Sequence, residues 1–304
     1  MCKKKVVAID AGKFNLKGKS EIGEVLFNTK FSLGHTDESM LGNGTYNVTI
    51  EGKELTIGNN ASFGDKKEGK ASDVHVWSTL TAIALLRGDA TQIILMYGES
   101  YNKYVQNEHK KLIKDRFEGK HIIEVNGEVH EFEITLCHIL PEGLGHILCN
   151  LSAYMGVQYV IDWGGATVIF MEVLNGVPQP DKCHSFLIGV NNVNAIISSK
   201  LSKSGIGNYT ENQVKEWVEK GCSNKKIQQV IDNVITEQLY TLDDKLNGFG
   251  IDLHELLKTT FIGGTSQLLS SQIKKHYECA EIYPKGLTAN VDGFWEYGRL
   301  KFGN

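Results

Sequence analysis

The stretch VVAIDAGKFNLKGK (residues 6–19) carries the most informative local pattern in the chain. It opens with a short apolar, β-branched run, which predicts a buried strand. The strand ends at Asp10, and Gly12 lets the backbone approach a phosphate closely, so that consecutive N–H groups can point at it. Lys17 would add positive charge at the same place. Taken alone, an acid before glycine is more typical of a plain turn, and Lys17 of an exposed strand lysine.

The same pattern occurs a second time in VIDWGGAT (residues 160–167), where a strand ends at Asp162 before a glycine turn. Two such loops that face each other can hold one polyphosphate. Their aspartates could hold Mg²⁺ largely through water, because Mg²⁺ binds few carboxylates and keeps several waters. A third glycine turn, IGGTSQ (residues 262–267), offers a backbone without side chains on which a nucleoside can lie flat. The three turns in this order favour a nucleotide site.

The order of these motifs resembles the first-phosphate, second-phosphate and adenosine signatures shared by actin, the heat-shock chaperones and the sugar kinases. Within that superfamily, residues 6–19 are similar to the first phosphate loop of the ParM/StbA-type actin-like ATPases of plasmid segregation. Residues 72–86, 140–151 and 287–304 resemble segments of that family in the same order. The resemblance therefore covers most of the chain.

The resemblance implies an α/β, actin-like fold with two related, ribonuclease H-like lobes and a nucleotide cleft between them. Domain I would comprise residues 1–156 plus 288–304, and domain II residues 157–287. A length of 304 residues agrees with two lobes, because single cores usually stop growing at about 250 to 300 residues.

The resemblance also implies the roles of individual residues. Asp10 and Asp162 would flank the metal ion and the phosphates, and Glu142 would orient the attacking water. In isolation, Glu142 after a proline is more typical of an acid at a helix N-terminus. The residues assigned to the nucleotide are Gly12, Lys13, Asn15, Lys17, Gly164, Gly165, Ala166, Thr167, Gly263, Gly264, Thr265 and Gln267, with Lys215 and Glu219 as further candidates for the adenosine.

Some loop residues depart from the family pattern. Lys13 and Phe14 stand where small hydroxyl residues are more usual, and Trp163 and Ala166 are unusual in the second loop. Bulky or charged residues change how closely a backbone can approach phosphate. The choice between ATP and GTP therefore stays open.

The function implied is that of a nucleotide-dependent filament protein that hydrolyses ATP, or GTP, with Mg²⁺ and drives plasmid DNA segregation. Its partners would be further copies of itself in a polar filament and a DNA-binding adaptor at a plasmid centromere. Residues 32–44 and 249–257 are the predicted filament contacts. The alternative is a small-molecule kinase, which needs a separate general-base carboxylate that the sequence does not offer. A chaperone would need a peptide-binding domain, for which too few residues follow residue 262.

Composition agrees with a cytoplasmic protein. The formal charge of −4 gives no footprint for direct binding of nucleic acid, and no apolar run is long enough for a membrane span. The apolar run after the N-terminal lysines is too short for a signal peptide. The six cysteines are scattered, with neither a Cys-x-x-Cys pair nor a histidine cluster at metal-ligand spacing, so we predict reduced thiols and no metal site of that kind.

Periodicity predicts the elements around these motifs. The predicted strands and hairpins lie at 45–57, 92–97, 121–134, 135–140, 159–162, 168–174 and 260–262, and the predicted helices at 74–86, 109–120, 191–201, 211–220, 225–246 and 267–276.

Overall fold

The computed structural model describes residues 4–64, 69–149, 155–256 and 258–303, without the side chains of residues 190–192. The chain divides into two compact units. Unit 1 comprises residues 1–153 and 288–304, and unit 2 comprises residues 154–287. Each unit has its own cluster of buried apolar side chains.

The elements are numbered along the chain. The strands are β1 (Lys4–Ala11), β2 (Asn15–Ser20), β3 (Gly23–Asn28), β4 (Lys30–Leu33), β5 (Thr45–Ile50), β6 (Lys53–Gly58), β7 (Phe63–Gly64), β8 (Gln92–Glu99), β9 (Gly119–Val125), β10 (Glu128–Pro141), β11 (Val157–Trp163), β12 (Val168–Leu174), β13 (Val177–Phe186), β14 (Thr259–Ile262) and β15 (Ala280–Ile282). The helices are α1 (Asp73–Leu86), α2 (Tyr101–Tyr104), α3 (Asn107–Phe117), α4 (Gly145–Leu148), α5 (Val190–Lys203), α6 (Glu211–Lys220), α7 (Lys225–Asn247), α8 (Gly264–Leu268), α9 (Ser270–His276) and α10 (Ala289–Phe302).

Unit 1 is built on a ten-stranded sheet in the order β3-β2-β1-β8-β10-β9-β5-β6-β4-β7. Its three central strands, β1, β8 and β10, are parallel. The register pairs Ile9 with Tyr97, and Leu140 with Gly98. The carboxyl ends of the three strands therefore lie side by side, which is where α/β sheets commonly bind ligands.

Helix α1 has no polar face. Apart from Asp73 and Leu85 every residue in it is buried, and it packs against strands β1, β2, β3 and β9. A helix that is apolar all round is expected to lie inside a protein. The sequence of α1 contains one charged residue, Asp73 in its first turn, and is otherwise suited to burial on all sides.

Helix α10 closes the other side of the unit 1 sheet and packs on β1, β8 and α4. Its backbone lies against that of α4. A Cβ atom on Gly293 would overlap the carbonyl oxygen of Gly145, and one on Gly145 would lie 2.2 Å from the Cα of Asn290. Only glycines permit this approach, which fixes the segment after β10. The amide of Gly143 in that segment donates to Oδ1 of Asn290 (3.0 Å).

Unit 2 contains a five-stranded sheet in the order β13-β12-β11-β14-β15. Strands β11, β14 and β15 are parallel, and β12 and β13 are antiparallel additions. Helix α7 supplies much of the core through apolar residues at helical period, including Ile227, Ile231 and Val234. Its first turn is capped by Asn224, whose side chain accepts from the amides of Lys226 and Ile227.

Most of the predicted elements are confirmed to within a few residues, and three predictions are corrected. The helix predicted over 109–120 ends at Phe117, because Gly119 adopts φ +125° and begins β9. The second arm of the hairpin predicted over 121–134 and the separate strand predicted over 135–140 form one continuous strand, β10. Its pairing with β8 shifts register between Ile134 and Leu136. The helix predicted over 267–276 starts at Gly264 and is interrupted at Leu269. Strand β13 was not predicted.

Of the two predicted filament segments, residues 32–44 contain the end of β4 and a short 3₁₀ turn. Residues 249–257 are described except residue 257, which lies outside the described part of the chain. Within that part, no helix combines the length and the apolar character that a membrane span needs.

Candidate functional site

Three acids, two of them buried and one partly buried, mark the carboxyl ends of the central strands in unit 1. Asp10 lies near the end of β1, Glu99 is the last residue of β8, and Glu142 directly follows β10. Asp10 is 4% exposed and Glu99 1% exposed. The amide of Glu142 donates to the carbonyl oxygen of Glu99 (2.8 Å), which continues the parallel pairing past the end of β10. The topology thus brings Asp10 and Glu142 to one sheet edge.

Lys70 holds these strand ends together. Its buried Nζ donates to the carbonyl oxygen of Gly98 (2.8 Å), forms an ion pair with Oε1 of Glu142, and lies 3.5 Å from Oδ1 of Asp10. The Tyr97 hydroxyl donates to the carbonyl oxygen of Lys70 (3.0 Å) and fixes its backbone. One ammonium group therefore lies between two carboxylates, and this pairing offsets part of the cost of burying the lysine charge.

Lys17 completes the charge arrangement. It pairs with Asp10 in the antiparallel register of β1 and β2, so both side chains lie on the same face of the sheet. Its Nζ lies 3.1 Å from Oδ2 of Asp10. The exposed-strand interpretation of Lys17 is wrong, because its side chain is only 16% exposed.

The first glycine turn joins β1 to β2 and is fixed by Thr29. The Thr29 hydroxyl donates to the carbonyl oxygen of Gly12 (2.7 Å), and its amide donates to that of Phe14 (2.9 Å). Lys13 in this turn is exposed, and Asn15 begins β2. The turn is thus a defined loop beside Asp10 and Lys17.

The ionisation of these groups follows from burial and charge. Burial would raise the pKa of Asp10, but the ammonium groups of Lys17 and Lys70 outweigh it and lower that pKa to about 2. Burial would lower the pKa of Lys70, but the carboxylates of Glu142 and Asp10 raise it well above the usual lysine value. Burial also opposes the charge of Glu99, whose pKa is nevertheless lowered by a hydrogen bond from His109 and by Lys70. Asp10 is therefore ionised at neutral pH.

Unit 2 places the second glycine turn against the third. Asp162 in β11 pairs in parallel with Ile262 in β14, and both turns follow directly at the carboxyl ends of these strands. The Thr265 hydroxyl donates to the carbonyl oxygen of Gly164 (2.9 Å). Within the second turn, the amide of Gly164 donates to the carbonyl oxygen of Thr167 (2.9 Å).

Two glycines allow this close packing. Gly263 adopts φ +91°, and a Cβ atom there would lie 2.4 Å from the carbonyl oxygen of Trp163 and 2.6 Å from Oδ1 of Asp162. Gly189 donates from its amide to the carbonyl oxygen of Ala166 (3.1 Å) and also lies directly against the backbone of the second turn. The loop beside Asp162 is therefore shaped by glycines on two other segments.

The other residues predicted for the nucleotide divide into two groups. Gly165 lies within the second turn, Gly264 begins α8, and Gln267 in α8 donates from its side chain to the carbonyl oxygen of Pro284. Lys215 and Glu219 pair with each other at 3.8 Å on the exposed side of α6. No contact found among the described residues ties these two to the glycine turns.

Sequence reasoning missed Lys70 and Glu99. Glu99 is the last residue of an apolar strand, but no glycine turn follows it, so the pattern applied to Asp10 does not single it out. Lys70 lies in a polar stretch before α1, where nothing in the local pattern distinguishes it from the neighbouring lysines.

The fold of these two units is the actin-like fold, which confirms the fold class that the resemblance implied. The archaeal actin homologue Ta0583 is 17% identical in sequence and has a TM-score of 0.80. The alignment covers 98% of this chain and 100% of Ta0583. The Alp12 filament structure is 23% identical, with coverage of 98% and 99% and a TM-score of 0.73. A fifteen-stranded ParM filament from Clostridium botulinum is 15% identical, with coverage of 98% and 99% and a TM-score of 0.78.

The family comparison agrees with this class. Residues 8–145 match the family model described as the N-terminal domain of actin-like proteins. The predicted resemblance to the bacterial actin-like proteins is therefore confirmed. None of the curated proteins compared with this sequence matches it. Ta0583 has also been solved in complex with ADP; that structure is 17% identical, covers 97% of this chain and 99% of its own, and has a TM-score of 0.78.

Proposed function

We propose that this chain is a nucleotide-dependent, filament-forming ATPase of the actin-like class, with ATP or GTP as its nucleotide. One observation carries the proposal: each unit has a buried aspartate near the end of a central strand, Asp10 or Asp162, followed by a turn with glycine that a neighbouring segment holds in place. The ADP complex of Ta0583 supports the same interpretation, because a protein of this fold binds an adenine nucleotide.

The residues of unit 1 fit a magnesium-bound polyphosphate. Asp10 is ionised, and both of its oxygens already face ammonium groups, Oδ2 towards Lys17 and Oδ1 towards Lys70. A carboxylate in this setting suits a water-mediated contact to Mg²⁺ better than a direct bond. The ion, when bound, would neutralise charge on the phosphates, and Lys17 beside Gly12 would bind a phosphate oxygen.

Glu142 would orient the attacking water. Its carboxylate is an acceptor at the carboxyl edge of the sheet, and the ion pair with Lys70 fixes its orientation. Phosphoryl transfer depends mainly on positioning and charge stabilisation, so an oriented acceptor is what the step needs. Lys70 would then act as a positioning residue that also fixes Asp10.

In unit 2, Asp162 and the turn at residues 164–167 would bind the phosphates and the metal, and Gly263, Gly264 and Thr265 would lie against the nucleoside. The hydrogen bond from Thr265 to Gly164 couples these two loops, so that a change at the phosphates would reach the nucleoside loop. Gln267, Lys215 and Glu219 complete the proposed set, the last two with the least structural support.

Self-assembly is the second part of the proposal. The filament structures of Alp12 and of the Clostridium botulinum ParM support polymerisation for this fold. Large apolar side chains are exposed in the two predicted contact segments, namely Leu33 (78%), Met40 (67%) and Phe249 (52%). A head-to-tail contact whose rotation does not close produces a helical filament. Loss of the γ-phosphate would then weaken the filament.

The cellular role we propose is plasmid DNA segregation in the cytoplasm, as inferred from the resemblance. The net charge of −4 does not favour direct binding to the phosphates of DNA, so we propose that a DNA-binding adaptor at a plasmid centromere links filament and cargo.

The nucleotide site is tested by the Asp162→Ala variant. We expect its affinity for ATP or GTP in Mg²⁺ to fall at least about 10-fold, because a bound metal supplies several kcal/mol of charge stabilisation. Asp181→Ala, which removes an exposed aspartate of the same unit, is the matched control. Equal dissociation constants for the wild type and Asp162→Ala would refute the site.

A further inference from the structure

Unit 2 contains a cluster of three potential metal ligands away from the glycine turns. Oδ2 of Asp243 in α7 lies 2.7 Å from Nε2 of His276 at the end of α9 and 3.6 Å from Nε2 of His254. The ligand atoms of all three residues lie within 4.8 Å of one another. Three separate segments thus converge on one point.

The spacing of these atoms fits a small tetrahedral metal ion. Zinc binds imidazole nitrogen and carboxylate oxygen at about 2.0 to 2.2 Å, which places the ligand atoms of a tetrahedron about 3.4 Å apart. The two distances from Oδ2 of Asp243, 2.7 and 3.6 Å, lie on either side of that value. Metal binding would therefore need only small side-chain movements. A simple hydrogen bond between Asp243 and His276 would not explain why His254 also lies near the same carboxylate oxygen.

The ligand types select the class of metal. Two imidazoles and one carboxylate suit zinc and neighbouring divalent transition metals, whereas Mg²⁺ and Ca²⁺ prefer oxygen ligands only. Three protein ligands leave a fourth position for water, as in zinc sites that remain open. His254 is 50% exposed, whereas Asp243 and His276 are each 12% exposed, so the cluster is open to solvent on one side.

Neighbouring groups hold the ligands in place. The Tyr277 hydroxyl donates to the second oxygen of Asp243, Oδ1 (2.7 Å), which orients Oδ2 towards the histidines. The backbone at His254 is fixed by its amide, which donates to Oδ1 of Asp252 (2.9 Å). Such outer contacts are typical of metal sites, where they orient the ligating carboxylate.

We propose that Asp243, His254 and His276 bind one Zn²⁺ or a similar divalent transition metal ion, which ties α7, the segment after it and α9 together. The sequence did not predict this site, because its ligands are far apart in the chain and no local spacing reveals them. The proposal does not depend on the nucleotide site, since it concerns unit 2 alone and its test needs no nucleotide.

The test is a Co²⁺ titration of the full-length, untagged chain after treatment with a chelator, followed by its visible absorption, with Zn²⁺ competition against a chromophoric chelator. We expect one equivalent bound with a tetrahedral spectrum and a dissociation constant for Zn²⁺ of about 1 μM or below. Millimolar Mg²⁺ should not compete. The spectrum should lack sulfur-to-cobalt charge transfer, which separates this site from binding by the cysteines.

Variants assign the ligands. His254→Gln, which changes an exposed side chain, should fold normally and weaken Zn²⁺ binding at least about 100-fold, as should Asp243→Asn, because each removes one ligand. Tyr277→Phe should weaken it about 10-fold. His35→Gln, an exposed histidine in unit 1, is the control and should leave the affinity unchanged. Millimolar affinity, a thiolate spectrum, or unchanged affinity in folded His254→Gln would overturn the proposal.

Discussion

Lys70 and Glu142, which are 72 positions apart in the sequence, form an ion pair at the carboxyl edge of the unit 1 sheet, with side chains that are 10% and 13% exposed. The same ammonium group faces Asp10 at 3.5 Å. The two unit 1 carboxylates that we place in the nucleotide site, Asp10 and Glu142, therefore share one lysine. Removal of that charge should affect folding and chemistry together.

Lys70→Met should destabilise unit 1 strongly. The substitution keeps the apolar length of the side chain but removes the ammonium group that pairs with Glu142 and leaves Lys17 as the cation beside Asp10. Loss of one partner of a buried ion pair costs about 3 to 5 kcal/mol. Chemical denaturation gives the free energy of unfolding. Lys200→Met is the control, because its partner is Glu237 and both side chains are largely exposed (42% and 55%), so a loss of at most about 1 kcal/mol is expected. Similar losses in the two variants would contradict the role of Lys70.

Asp10 should make the stability of unit 1 depend on pH in the acid range. Its pKa is lowered from 3.8 to about 2 in the folded chain, so its contribution is fully present above pH 3.8 and is lost as the pH falls through about 2. The difference corresponds to about 2 kcal/mol. Unfolding measured between pH 2 and 6 should therefore show a shallower acid limb for Asp10→Asn than for the wild type. Parallel curves would disprove the pKa assignment.

Glu142→Ala should separate binding from hydrolysis. Without the carboxylate the attacking water loses its acceptor, so phosphate release should slow at least about 100-fold, while nucleotide binding and polymerisation remain. Phosphate release and nucleotide affinity are measured on the same preparation, with the exposed Glu131→Ala as control. Unchanged turnover would remove Glu142 from the mechanism.

Gly263→Ala tests the packing of the third turn against Asp162. Gly263 (φ 91°, ψ 157°) and Gly221 (φ 82°, ψ 158°) share a backbone conformation that disfavours alanine. A Cβ atom at Gly221 meets nothing within 4 Å, whereas one at Gly263 collides with Asp162 and Trp163. Gly221→Ala therefore measures backbone strain alone, about 1 to 3 kcal/mol.

The loss in Gly263→Ala should exceed that in Gly221→Ala, and only Gly263→Ala should weaken nucleotide affinity, because it displaces the Asp162 carboxylate. Thermal unfolding and equilibrium nucleotide binding measure the two effects. Equal destabilisation with unaltered affinity in both variants would show that the contact with Asp162 does not matter.

Much of the fold could be predicted because the deciding signals are local. An apolar strand, an acid and a glycine turn are adjacent in the chain. In α7, the helical spacing of the apolar residues is enough to identify the buried face. Errors occurred where the local sequence pattern does not define the end of an element. Strand β10, for example, continues through a register shift at which the sequence predicted a break between two strands.

Lys70 and the cluster of Asp243, His254 and His276 could not be predicted, because each depends on tertiary contacts between distant residues. A lysine in a polar stretch gives no sign that it will be buried under two acids. Asp243, His254 and His276 come together only once α9 packs on α7.

The central claim, polymerisation driven by a nucleotide, is tested most directly by 90° light scattering of the purified chain. Scattering is followed with Mg²⁺ and ATP, GTP, ADP or no nucleotide, in parallel with phosphate release. We predict a rise triggered by a nucleoside triphosphate that decays as phosphate appears. Phosphate release without any rise in scattering, over the full range of attainable protein concentrations, would contradict the filament function and favour the small-molecule kinase.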